Sequence, residues 1–305
     1  MSSFSKSFRL SASKSDFERD KNLKPLEGIT IIKDLKYSYG RKYNLLDVYY
    51  PSKAKEKLPV IVSVHGGGYV YGFKEMYFHY GLFLAKQNFA VVNFNYHLAP
   101  EKKFPTQLEE INMVLEWIIK NQDKYYFDVD NVFMVGDSAG AQMLSHYMAI
   151  YSNKEFAKLF SFKVPEEIKV RAIGLNCGRY EMASAYPNHT PKVQIAHYER
   201  DSDKPLRNYL GKDREKFYHM TQALDNITGD FPPSYILTSY YDFLKPDAKP
   251  MYDFLTSLGV ECRYKLYGNE KTKYMTHVFH VNMNLKEAKV ANIDELNFFK
   301  EHIVK

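Results

Sequence analysis

The chain has 305 residues, 45% of them hydrophobic, and 42 Lys and Arg against 36 Asp and Glu give a formal charge of +6. This length can bury a full core as one large α/β domain, and the charges are spread and mixed in sign, as in Lys53-Ala-Lys-Glu-Lys57, with no basic run to hold a nucleic acid. Two cysteines, Cys177 and Cys262, exclude a disulfide framework and suit a reducing, cytoplasmic setting, and no stretch reaches the ~18 consecutive apolar residues of a membrane span.

Residues 1–28 read as an amino-terminal arm, loose or folded over the domain as part of a cap. They are Ser-rich, carry Lys6, Arg9 and Lys14 with no acid before Asp16, and lack the apolar stretch of a secretory signal. Residues 29–305 read as one domain. Ile29 to Tyr39 and Leu45 to Tyr50 are two β-rich runs around the turn-forming Gly40-Arg41-Lys42, an expected hairpin. Leu58 to Val64 is a near-continuous apolar run, the pattern of a strand buried on both faces, and it passes straight into His65-Gly66-Gly67-Gly68-Tyr69. A helix over Glu75 to Asn88, a strand over Phe89 to Tyr96 and a helix over Pro105 to Asp123 follow, the last with Leu108, Ile111, Val114, Leu115 and Ile118 at helical spacing.

The strand Val132 to Val135 leads into a helix over Ala141 to Tyr151, and the strand Val170 to Cys177 comes next. An aromatic-rich and helix-poor insertion is expected at about 178–231. Beyond it lie the strand Tyr235 to Tyr240, the helix Asp247 to Leu258, the strand Val260 to Tyr267 and a final helix from about Leu285. Such alternation predicts an α/β fold, a mainly parallel central sheet with helices on both faces. The insertion falls between two strands, where a cap or lid over the sheet's carboxyl edge would sit.

Gly136-Asp137-Ser138-Ala139-Gly140 joins an apolar run to a helical one with no loop between them. A serine at such a strand-turn-helix apex is crowded, so the positions two before and two after must be almost without side chain. Both are Gly. This G-x-S-x-G elbow exposes the serine oxygen above the sheet edge and aims the amides of the following helix at it.

A serine hydroxyl needs a base within hydrogen-bond reach and a third group to orient that base. In chains built on this elbow the order is Ser, acid, His, with the last two on loops after later strands. Asp242 follows the strand Tyr235 to Tyr240, and His277 lies in the loop after Val260 to Tyr267. Asp247 competes with Asp242 but fits a helix start, where a surface aspartate caps amides. His280 competes with His277 in Thr276-His-Val-Phe-His280. Two histidines at this spacing have no third metal ligand at a recognisable distance, so no metal or other cofactor is expected and His280 is assigned a capping or packing role.

Three consecutive glycines are entropically costly and make sense where backbone must approach a ligand closely. Gly67 and Gly68, with the amide of Ala139, are the candidate donors of an oxyanion hole. Tyr69, Tyr180, Tyr186 and Tyr198 are the candidate lining of a substrate pocket.

His65-Gly-Gly-Gly-Tyr69, Tyr96-His-Leu-Ala-Pro-Glu101, Gly136-Asp-Ser-Ala-Gly140, Asp242-Phe-Leu244 and His277-Val-Phe279, in that order, resemble the hormone-sensitive lipase branch of the α/β-hydrolase esterases. The resemblance spans roughly Leu58 to Phe279. It implies hydrolysis of small-molecule carboxylic esters by Ser138, His277 and Asp242 beneath a cap. That branch usually has Arg where His97 stands and Gly where Val278 stands, and its amino-terminal cap helices are not evident. Arylformamidases and small amidases or peptidases share the elbow, because amide and ester cleavage pass through similar oxyanions; a small-ligand receptor that has lost its chemistry is the reading from another class. The sequence leaves a homo-oligomer open.

Overall fold

The computed structural model describes residues 2–182, 185–186 and 204–305. Among them eight strands form one sheet: β1 (Ile29–Lys36), β2 (Leu45–Pro51), β3 (Leu58–Val64), β4 (Ala90–Phe94), β5 (Phe127–Asp137), β6 (Val170–Asn176), β7 (Ser234–Ser239) and β8 (Cys262–Tyr267). Their order is β1-β2-β4-β3-β5-β6-β7-β8. The β1/β2 and β2/β4 pairs are antiparallel and all the others parallel.

The helices are α1 (Ser3–Asp20), α2 (Phe78–Ala85), α3 (Thr106–Lys120), α4 (Ala139–Ser152), α5 (Lys154–Ala157), α6 (Lys204–Leu210), α7 (Tyr218–Thr221), α8 (Ala223–Asn226), α9 (Lys245–Ser257) and α10 (Lys286–Glu301). Side-chain alternation along the strands divides the core in two. On β3, Val60, Val62 and Val64 face Leu108, Ile111 and Leu115 of α3, Leu144 and Met148 of α4, and Met251 and Leu255 of α9. Ile61 points the other way, into the layer built from Leu82 and Leu84 of α2 and Leu296, Phe298 and Phe299 of α10. Each such fully buried side chain contributes ~1.5–3 kcal/mol relative to exposure. A strand buried by helices on both faces has no polar side to write into its sequence, which is why β3 reads as an apolar run.

Several boundaries differ from the sequence reading. β1 stops at Lys36, and a 3₁₀ turn over Arg41–Asn44 makes the return to β2. β5 begins at Phe127 rather than Val132, with a register shift against β3 between Pro59 and Val60 that absorbs the polar Asp130 and Asn131. The expected helix over residues 75–88 is split into a 3₁₀ turn, Lys74–Tyr77, and α2.

Two corrections concern the insertion and the amino-terminal residues. The insertion is not helix-poor: its described part carries α6, a 3₁₀ turn (Arg214–Phe217), α7 and α8. Leu206, Tyr209 and Leu210 of α6 are buried at the i, i+3, i+4 spacing that lets a short helix dock by one face. The amino-terminal residues form the 18-residue helix α1, started by Ser2, whose hydroxyl accepts from the Ser5 N–H at 3.1 Å. α1 is tied to the domain along its length. Arg9 donates to both carboxylate oxygens of Glu101 (2.9 and 2.8 Å) and to the Val70 carbonyl (2.6 Å), Arg19 donates to the Met76 carbonyl (2.7 Å), and Asn284 donates to the Arg19 carbonyl (2.7 Å).

Candidate active site

β5 ends at Asp137 and α4 begins at Ala139, so Ser138 alone makes the turn, at φ 53° and ψ −118°. A non-glycine residue holds that conformation only where its surroundings over-determine it. Here the Ser138 N–H donates to the Asn176 carbonyl at 3.0 Å, and the Gln142 N–H donates to the Ser138 carbonyl at 3.2 Å. A Cβ on Gly136 would lie 2.7 Å from the Gly140 oxygen, and one on Gly140 2.2 Å from the Val64 oxygen. Only glycine fits either place.

Asp242 sits in the turn after β7 and is buried. Its Oδ1 accepts from the Leu244 N–H (2.8 Å) and from His277 Nδ1 (2.7 Å), and its Oδ2 accepts from the Thr238 hydroxyl (3.1 Å). The other imidazole nitrogen, Nε2, lies 2.9 Å from Ser138 Oγ. A carboxylate can only accept, so the Nδ1 proton points at Asp242 and leaves the Nε2 lone pair for the serine hydroxyl. Burial pushes the Asp242 carboxyl up, but the hydrogen bond and charge of His277, the Cys177 thiol and the Leu244 amide outweigh burial and hold it below the usual carboxylate range. Asp242 is therefore ionised at neutral pH, as an imidazole orienter must be.

Cys177, Asp242 and His277 present ligand-type atoms within 4.8 Å of one another. The set does not suit a metal. The 2.7 Å bond between Nδ1 and Oδ1 occupies the atoms a cation would take, and burial raises the Cys177 thiol well above its ordinary pKa, away from the thiolate a metal binds.

The glycine loop is locked to the elbow from below. The Gly66 N–H donates to Tyr77 Oη (2.9 Å) and to Asp137 Oδ1 (3.1 Å), while the Tyr77 hydroxyl donates to Asp137 Oδ2 (2.9 Å). Burial raises the Asp137 carboxyl to about 6, against the pull of the Tyr77 bond. Gly67 and Gly68 have φ of 107° and 58°. The amides of Gly67, Gly68 and Ala139 have no hydrogen-bond acceptor among the described residues. All three residues line the cavity that holds Ser138.

That cavity measures about 350 Å³. Of the four tyrosines expected to line it, Tyr69 does, stacked on Tyr209 at 4.1 Å with its hydroxyl 3.2 Å from Gln142 Oε1. Tyr180 and Tyr186 do not. Tyr180 is buried, its hydroxyl toward the Leu175 carbonyl (3.4 Å), and Tyr186 ties the insertion's described segments together through the Arg214 carbonyl (3.0 Å), Thr221 (3.1 Å) and an edge contact with Tyr218. Tyr198 lies outside the described residues. The wall instead draws on α1, through Phe8, Ala12, Ser15, Asp16 and Arg19, and on Phe243, Leu244 and Val278 beside the histidine. The α1 residues recur at helical spacing, a stripe that the sequence shows once residues 3–20 are read as a helix.

The competing residues stand apart from this arrangement. His280 is buried, edge-on to Tyr80 with 5.7 Å between rings, and burial lowers its pKa to about 3, so it packs as a neutral ring. Asp247 stands in the first turn of α9 as expected, yet it is fully buried rather than a surface cap. His97, where the resembling branch has Arg, has its Nδ1 hydrogen-bonded to the buried Glu110, which also accepts from the His97 N–H at 2.7 Å.

A mainly parallel eight-stranded sheet with a serine elbow after β5, the acid after β7 and the histidine after β8 defines the chain as an α/β-hydrolase. It belongs to the BD-FAE family, whose model matches residues 46–249. It is 28% identical over 214 residues to the alpha/beta hydrolase R526 of Acanthamoeba polyphaga mimivirus (69% of this chain, 59% of that protein). It is 26% identical over 207 residues to the acetyl esterase of Salmonella paratyphi A (67% and 61%). In each case the chain spans less than two thirds of the relative's length. Esterase B from Lactobacillus rhamnosis, in its complex with a tributyrin phosphonate inhibitor, superposes with a TM-score of 0.84 at 22% identity, covering 97% of this chain and 93% of that one. At that identity the likeness is one of fold.

Proposed function

We propose that this protein is a serine hydrolase of the carboxylesterase type, cleaving short-chain carboxylic esters through an acyl-enzyme. The observation that carries the reading is the pair of hydrogen bonds in series, Ser138 Oγ to His277 Nε2 at 2.9 Å and His277 Nδ1 to Asp242 Oδ1 at 2.7 Å. In this scheme Ser138 attacks the acyl carbonyl as His277 takes its proton, and Asp242 steadies the imidazolium. The amides of Gly67, Gly68 and Ala139 receive the charge that develops on the carbonyl oxygen. The proton then passes from Nε2 to the leaving alcohol, and a water activated by the same imidazole releases the acid. The acetyl esterase among the relatives supports ester rather than amide chemistry. No cofactor or metal takes part.

Residues 1–28 and about 178–231 are proposed to form the cap over a catalytic domain within 29–305; α1 and Pro205 in the cavity wall support this. The reading includes a cytoplasmic setting, which two unpaired cysteines support. No helix among the described residues is long and apolar enough to cross a membrane. The short-chain preference rests on the cavity, about 350 Å³ and so at the lower end for ligand sites, and on the charges of the insertion, among them Lys212, Asp213 and Arg214, which suit water rather than a lipid surface.

A series of p-nitrophenyl esters tests this. kcat/KM is expected to peak between acetyl and about hexanoyl, since added methylenes gain ~0.8 kcal/mol each only while there is room for them. Emulsified triglyceride should show no jump in rate past its solubility limit. Efficient cleavage of palmitoyl esters with such a jump would contradict the short-chain reading.

A further inference from the structure

We infer that Phe243 sets the leaving-group preference of this site, favouring esters of phenols and other flat apolar alcohols. The inference rests on the proposed hydrolase chemistry. Once His277 Nε2 has taken the serine proton, it must hand that proton to the leaving oxygen, which therefore comes within ~3 Å of Nε2. Whatever is attached to that oxygen begins beside the imidazole. The Phe243 ring stands there, its centroid 4.3 Å from that of His277 at 48° between planes. It belongs to the cavity wall, yet it is 68% exposed, while Tyr69 and Leu244 of the same wall are buried.

An open aromatic face at the point where the alcohol must pass will reward a group that can cover it, above all another ring. Val278 works from the same side. It directly follows the histidine, lines the cavity and is held at φ 53° and ψ 32°, a conformation strained for a β-branched residue. The apolar character of this wall is thus a property of this chain's own residues. The acyl group stays on Ser138 after the alcohol has left, so Phe243 has no alcohol to touch in deacylation. Its effect should fall on acylation alone.

The alternative is that Phe243 merely shields or positions His277. The two roles separate when one acyl group is combined with several alcohols. With the full chain and its F243A, F243L and F243W variants, kcat/KM is measured for phenyl, 1-naphthyl and methyl acetate. F243A should lower the aryl-to-methyl ratio about tenfold, the scale of one lost aromatic contact at ~1.4 kcal/mol per factor of ten. F243L should fall between and F243W should keep the ratio, whatever loss the three esters share. Since the ring is mostly exposed, melting temperatures should stay near that of the parent chain. Equal losses for all three esters, or an unaltered ratio, would overturn the inference and leave the hydrolase reading standing. If the parent chain hydrolyses no ester and takes up no fluorophosphonate, the hydrolase reading fails and the inference falls with it.

Discussion

Replacing Gly67 by alanine should disable the proposed oxyanion hole. The backbone there has φ 107°, which an L side chain rarely adopts, and the new Cβ would lie 2.2 Å from the Tyr71 carbonyl oxygen and 2.6 Å from its carbon. Tyr71 cannot simply retreat, because the Val70 and Tyr71 amides donate to the Gly67 carbonyl at 3.2 and 3.0 Å and close the turn. The turn must open, turning the Gly67 and Gly68 amides away from the carbonyl oxygen. Loss of one such donor typically costs ~10² to 10³ in kcat, or ~2.7–4 kcal/mol, with little change in KM because the bond forms fully only in the transition state. Strain adds ~1–3 kcal/mol against folding, a drop of several degrees in Tm. Gly68→Ala makes a graded companion: its φ is 58° and the nearest contact of a Cβ would be 3.4 Å, to Pro205, so it should fold nearly normally with a smaller loss. Steady-state kinetics on p-nitrophenyl butyrate, paired with thermal melts, decide the matter. A well-folded Gly67→Ala protein with unchanged kcat and a raised KM would show that the glycines bind substrate and do not serve the transition state.

Other consequences are equally specific. His277→Ala should lose ~10³-fold or more in kcat, whereas His280→Ala, which removes a buried neutral ring, should keep its chemistry and lose ~1–3 kcal/mol of stability; reversed phenotypes in kinetics and melts would contradict the site. Glu295 is fully buried and burial raises its carboxyl to about 8. Between pH ~4.5 and 8 the folded chain thus holds a proton that the unfolded chain has released, and stability falls by as much as ~1.4 kcal/mol per pH unit across that window. Glu295→Gln should remove this slope, so its Tm advantage over the parent chain should grow from pH 5 to 8 and then level off. A constant difference would place the Glu295 titration elsewhere.

The elbow and the glycine run were legible because each imposes a steric demand that few residues meet: Gly136 and Gly140 admit no Cβ, and Gly66 would place one 2.3 Å from Asp137 Oδ2. Asp242 and His277 were legible from chain order, since each follows a strand that can be read, the buried β7 and the largely exposed edge strand β8. What escaped was set by tertiary contact. α1 is mostly polar, and its stripe of Phe8, Ala12, Asp16 and Arg19 has meaning only against the cavity it roofs. The short helices α6 to α8 of the insertion are too brief for periodicity to stand out. Tyr180 and Tyr186 looked like pocket aromatics, but their hydroxyl partners, the Leu175 carbonyl of β6 and the Arg214 carbonyl of the insertion, draw them away. Phe243 gave no signal, since a phenylalanine next to the proposed triad acid is as readily core as wall.

The account turns on whether Ser138 is a nucleophile activated by His277. Exposing the purified chain to a fluorophosphonate probe and mapping the adduct by peptide mass spectrometry tests this directly. A single stoichiometric adduct on Ser138, lost in Ser138→Ala and strongly slowed in His277→Ala, is the predicted result. An unlabelled chain, or one labelled equally well without His277, would contradict it.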